Sequence, residues 1–135
     1  MFDFGAPGFW ELVQTIRLSV LDAALEQGLP LLVMTFVYVH PSDLPTFEQF
    51  EATVERRRGT LLAVHLACPT GEIVRRVGTP DRAARRKMTS ETAVRQFLDQ
   101  HDVSPVPRPN CLMLDSEVNS AETNALAIIR HFALV

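Results

Sequence analysis

Apolar and polar positions along the chain alternate with two different periods. From Phe9 to Gln27, Leu12, Val13, Ile16, Val20, Leu21, Ala24 and Leu25 recur at helical spacing, which predicts a helix with one apolar face, stopped by Gly28 and Pro30. Leu31 to Val39 is almost continuously apolar and rich in β-branched and aromatic residues, the pattern of a strand covered on both faces. After the turn-rich stretch His40 to Pro45, Thr46 and Gln49 have capping-box spacing before Phe47, Phe50 and Val54. A second helix is expected to run to Arg58, with Gly59 as its cap. Leu61 to Cys68 predicts a second buried strand, ended by Pro69. Thr70 then offers an N-cap to a short helix through Ile73, Val74 and Val77, closed by Gly78-Thr79-Pro80.

Beyond the basic stretch Asp81 to Lys87, a helix is expected to begin near Ser90 with Val94, Phe97 and Leu98 on its inner face. Val103 to Asn110 contains Pro105, Pro107 and Pro109 and reads as a stiff extended connection. Cys111 to Leu114 predicts a third strand, Asp115 and Ser116 open a loop, and Ser120 caps a last helix with Ala121, Ala125, Ile128, Ile129 and Phe132 on its stripe. Doubly apolar strands alternating with amphipathic helices define an α/β fold with a short parallel sheet in a three-layer α/β/α arrangement, here as one domain over residues 1–135. Three strands are few beside the usual five to six, so open sheet edges are expected to be completed by a partner.

Composition narrows the classes. The 135 residues, 47% hydrophobic and 21% charged, are those of an ordinary globular chain. Thirteen basic against 16 acidic residues give a net charge of -3, which leaves no overall electrostatic case for nucleic acid or an anionic membrane. Cys68 and Cys111 are far apart and lack paired metal or redox spacing, as expected of reduced thiols in a cytoplasmic protein. No histidine has ligand spacing to a second metal-binding side chain. Phe2, Phe4, Phe9 and Trp10 crowd the first ten residues, so this segment is expected to dock on a surface or to lie inside a domain.

The run VHLACPTGEIVRRVGTPDRAARRK, residues 64–87, gathers six of the 13 basic side chains into thirteen positions. With the strand before it and the NSAE-headed helix after Cys111 to Leu114, it resembles the small-molecule kinases of the P-loop superfamily, the group that includes shikimate kinase. The resemblance covers about nine tenths of the chain in element order. It implies that Arg76 matches the arginine ending the helix before the lid, that the lid arginine falls at Arg82 or Arg86, with Arg85 in the same segment, and that Asp115 and Ser116 lie at the adenine edge. In that family ATP and Mg²⁺ are bound by a glycine-rich loop, G-x-x-x-x-G-K-[ST], on the first strand. No such string occurs here, since none of the six glycines precedes lysine and Lys87 is the only lysine. The expectation is therefore a kinase fold without its N-terminal P-loop segment, with no cofactor of its own and no phosphoryl transfer as this chain.

Two other readings stand beside it. One is a non-catalytic module that self-associates, as a homo-oligomer such as a homodimer, through open sheet edges or the aromatic N-terminus. The other is a small unrelated α/β enzyme centred on His40 and Asp115. The plainer alternatives are a solvated helix face for the arginines, a turn-forming role for Asp115 and for His40-Pro41, and a complement to the helix dipole for Arg56-Arg57-Arg58.

Overall fold

The structure, a computed structural model, describes residues 5–84 and 89–135. Among these residues it is mixed α/β, with six helices and one parallel sheet of two strands. The chain divides into two compact units, Met1–Val37 with Ser42–Leu61, and Tyr38–Pro41 with Leu62–Val135.

The first unit pairs two helices. Helix α1, Phe9–Glu26, ends as expected at Gly28, whose φ of 67° closes a double turn in which the Gly28 amide donates to Leu25 O and the Leu29 amide to Ala24 O, both at 3.1 Å. Its apolar stripe is split: Leu21 and Ala24 are buried, whereas Leu12, Ile16 and Val20 face out. Helix α2, Leu44–Arg56, starts earlier than the capping box implied. Asp43 is the N-cap and Thr46 is already the third helical residue, because Pro45 lacks an N–H and has φ preset for a first turn. Phe47, Phe50, Thr53 and Val54 form its buried face. The helix stops at Arg56, short of the expected Arg58, which itself takes the left-handed backbone at φ 59°.

Gly59 serves here for space, since a Cβ on it would meet Leu25 Cδ2 at 2.9 Å and Val54 Cγ1 at 3.1 Å. The two helices run in the same sense: Gln14 reaches Gln49 near their starts, and Asp22 holds Arg56 and Arg57 near their ends at 3.2 and 2.8 Å. The arginine run that read as a dipole complement is thus partly a clamp on α1. Those guanidiniums lower the Asp22 carboxyl to about 2 through their hydrogen bonds.

The expected first strand is corrected. Among the described residues Leu31 to Val39 joins no sheet; just beyond it, the His40 amide donates to Asp102 O at 2.7 Å in an isolated bridge. The apolar pattern specified a strand covered on both faces, and among the described residues no sheet takes it in.

In the second unit, β1 (Val64–Ala67) and β2 (Leu112–Asp115) pair in parallel, with Val64 opposite Leu112 and Ala67 opposite Asp115. β1 is half the length of the run Leu61 to Cys68 that predicted it, and β2 lies one residue beyond the predicted Cys111 to Leu114. Between them lie α3 (Thr70–Val77), α4 (Pro80–Ala84) and α5 (Glu91–Gln100), and α6 (Ala121–His131) follows. Pro69, not Thr70, caps α3. Val77 of α3 and Val94 of α5 are buried where those helices pack. The expected caps Ser90 and Ser120 are present, each hydroxyl accepting from the amide three residues on, at 3.2 and 3.1 Å.

Candidate functional site

Parallel strands leave their carboxyl ends facing the loops that follow, and in open α/β sheets that edge collects ligands. In the second unit it opens on a cleft of about 510 Å³. Leu66 of β1, Arg76 of α3, Ser116 and Asn119 of the loop, and Asn124 and Ile128 of α6 line it. The lining combines an apolar floor with a few polar groups.

Arg76 is fixed at both ends of its guanidinium. Nε donates to Glu72 Oε1 at 2.5 Å, one turn back on α3, and Nη2 donates to the Ser116 carbonyl at 2.6 Å across forty residues of chain. Glu72 also accepts two bonds from Arg75, at 2.6 and 2.7 Å. The hydrogen bonds from Arg75 and Arg76 bring the Glu72 carboxyl down to about 2. Two of Arg76's five N–H groups are thereby engaged, and three remain on a side chain that lines the cleft.

Ser116 extends the ladder beyond β2, its amide and its hydroxyl both donating to Ala67 O, at 2.8 and 2.9 Å. Asp115 Oδ1 accepts the amides of Glu117 and Val118 at 2.7 and 3.0 Å, so Asp115 does form the turn its residue type suggests. Asn124 then ties α6 to the strand end: Nδ2 donates to the Asp115 carbonyl at 2.9 Å. The residue is only 5% exposed, and its Oδ1 is a buried acceptor with no partner.

Arg76, Asp115 and Ser116, separated by up to forty residues in sequence, therefore meet at one edge. Arg82 lies on α4, its amide bonded to Thr79 O at 3.1 Å. Arg85 and Arg86 lie outside the described residues. His40 bonds to the Tyr38 hydroxyl through Nδ1 at 2.8 Å, and among the described residues nothing joins it to Asp115. Sequence reasoning missed Asn124 and Glu72. Asn124 carried a signal, a poor helix former set within the run Ala121, Ala125 and Ile128, where an amide has a reason to be only if something bonds it.

No group of described His, Cys, Asp or Glu side chains is arranged to hold a metal ion, and no described helix is long and apolar enough to cross a membrane. No family model matches the chain, and neither a curated protein nor a solved structure matches it.

Proposed function

We propose that the chain is the lid-and-base side of a P-loop-type small-molecule kinase fold, in the three-layer arrangement of that fold, and that its cleft takes the base end of a nucleotide without transferring phosphate. The observation that supports this is the strap from Arg76 to the Ser116 carbonyl at the carboxyl end of a parallel strand pair, in the order strand, arginine helix, basic segment, helix, strand, helix. A guanidinium beside an apolar floor suits a planar heterocycle.

The family's ATP and Mg²⁺ fit only in part. The base has the remaining Arg76 donors and an apolar floor to meet, whereas the phosphates meet no G-x-x-x-x-G-K-[ST] loop in these 135 residues. No step of phosphoryl transfer is derived through them. This chain's own residues bind and orient: Arg76 presents its face, Glu72 fixes that face, and Asn124 holds the rim.

Calorimetric titration with ATP, ADP and AMP tests the proposal. ATP and AMP are expected to bind within about threefold of each other, a difference under 1 kcal/mol, because the phosphates have no cradle. Arg76→Lys keeps the charge but cannot span Glu72 and Ser116 with one nitrogen, and is expected to weaken binding about tenfold. Absence of binding at millimolar nucleotide, or release of phosphate from Mg²⁺-ATP by the purified chain, would overturn the proposal.

A further inference from the structure

Among the described residues lining the cleft of the second unit, Arg76 is the only charged side chain, and it only donates. Each N–H that a guanidinium still carries asks for an acceptor on whatever enters. After the bonds to Glu72 and to the Ser116 carbonyl, two such groups remain on Nη1 and one on Nη2. The same two bonds hold the guanidinium at two points, so the remaining donors keep their directions when a ligand arrives, and a mismatched partner is not escaped by swinging the side chain away.

The other polar groups of the lining are either committed or indifferent. Ser116 donates its hydroxyl to Ala67 O, and its carbonyl already accepts from Arg76. Asn124 donates Nδ2 to the Asp115 carbonyl, and its Oδ1 is closed off from solvent. Ser120 accepts the Thr123 amide. Asn119, which makes no hydrogen bond among the described residues, carries an amide that both donates and accepts, and so favours neither a donor nor an acceptor edge. The polarity of the cleft is therefore set by Arg76.

We infer that the cleft selects a purine with a carbonyl at its six position, guanine or hypoxanthine, over adenine. The inference rests on the reading of the cleft as a base site and names which base it takes. Guanine and hypoxanthine present O6 and N7 side by side, two acceptors that a guanidinium meets with two N–H bonds. Adenine presents N7 beside an amino group that is itself a donor. Against held donors adenine keeps one bond and sets N–H against N–H at the other. Above the apolar floor of Leu66, Ala125 and Ile128, an N–H so placed gives up its water and receives no acceptor in exchange, and the penalty falls on adenine alone.

Calorimetric titration of the full chain with GMP, IMP, AMP, 7-deaza-GMP and guanosine tests the inference. GMP is expected to bind at least about fivefold tighter than AMP, the lower end of what one bidentate base contact discriminates. IMP is expected within about twofold of GMP, because the 2-amino group lies on the opposite edge of the base. In 7-deaza-GMP a C–H replaces N7 while O6 stays, and its affinity is expected to fall between those of GMP and AMP. Guanosine is expected within about threefold of GMP, since the base and not the phosphate meets Arg76. Arg76→Gln exchanges the donors for one amide that both donates and accepts, the pattern that matches adenine, and is expected to bring AMP level with GMP or ahead of it. Circular dichroism shows whether that variant is folded, and the wild-type series decides the matter without it. AMP binding as tightly as GMP, IMP binding as weakly as AMP, or a folded Arg76→Gln that keeps the guanine preference overturns the inference and leaves the base site standing. Guanosine more than about tenfold weaker than GMP would put an anion on Arg76 and overturn it as well. Failure of all five ligands to bind at millimolar concentration overturns the base site itself, and the inference with it.

Discussion

Phe50 is the largest fully buried side chain of the first unit, 1% exposed on the inner face of α2. Replacing it by alanine removes the ring from among Phe47, Val54, Leu21 and Ala24, the other buried apolar residues of that unit. Transfer of a buried phenylalanine accounts for about 2–3 kcal/mol. The space left behind raises the total to about 3–5 kcal/mol, because a helix pair held partly by surface ion pairs collapses only in part. The edge-to-face contact with Phe36 accounts for about 0.5–1.5 kcal/mol of that loss. Since a domain of this size has about 5–15 kcal/mol in all, Phe50→Ala is expected to leave the unit barely folded. Urea unfolding followed by far-ultraviolet circular dichroism measures the loss, at one fixed protein concentration so that association does not enter. Glu55→Ala, exposed on the same helix, is the control and is expected to change stability by less than about 0.5 kcal/mol. A double-mutant cycle with Phe36→Leu and Phe50→Leu isolates the ring pair. A cost of Phe50→Ala below about 1.5 kcal/mol, or no coupling in the cycle, would refute this account of the core.

Gly59→Ala asks whether space or backbone freedom selects glycine there. The new Cβ lies 2.9 Å from a leucine tip that can rotate and 3.1 Å from a β-branched valine that cannot easily do so, so a net loss of about 1 kcal/mol is expected in the same unfolding assay, and a gain in stability would refute the packing. Glu72→Gln bears on pH. The Glu72 carboxyl falls from an ordinary 4.5 to about 2 in the folded chain, so its contribution is complete above about 4.5 and disappears as the pH falls through 2. Melting temperatures of wild type and Glu72→Gln are expected to differ at pH 6 and to converge between about pH 4.5 and pH 2; a gap that stays constant over that range would show that the arginines do not act on this carboxylate. Asn124→Leu removes the bond to the Asp115 carbonyl together with the orphaned Oδ1, two opposed penalties of about 1–3 kcal/mol each, so stability is expected to stay within about 1 kcal/mol of wild type. A loss above about 3 kcal/mol on denaturation would mean that Oδ1 has a bonding partner in solution.

The parts legible in the sequence are those decided locally. The Gly28 stop, the Ser90 and Ser120 caps and the buried face of α2 depend on residues within one or two turns, and each was readable from spacing. Where two local signals competed, the stiffer won: Pro45 starts α2 ahead of the Thr46 box. Leu31 to Val39 failed for a different reason. An apolar period reports which side chains seek cover, and carries no information on whether the same chain provides it. The same limit applies to Leu12, Ile16 and Val20, which belong to the helix pattern and yet face outward. Of the cleft, the resemblance pointed to Arg76 and the Asp115-Ser116 loop, which the structure joins, while Glu72 and Asn124 emerge only from the fold of α3 and α6 around one strand end.

Four-residue strands in a two-stranded parallel sheet are below the size that holds itself together. The edge of the cleft must therefore be held by something other than the ladder, and polar ties supply it. Ser116 doubles the hydrogen bonding onto Ala67, Asp115 closes the next turn, Asn124 fastens α6 to the Asp115 carbonyl, and Arg76 fastens α3 to Ser116. Each of these bonds reaches a main-chain group of one of five residues, Ala67 and 115–118. The loop geometry is thus set by side chains of α3, of α6 and of the loop itself. A residue that looks like a ligand contact and one that looks structural are, at this edge, the same residue: Arg76 can present a fixed face to a ligand because Glu72 and the Ser116 carbonyl already hold its fork.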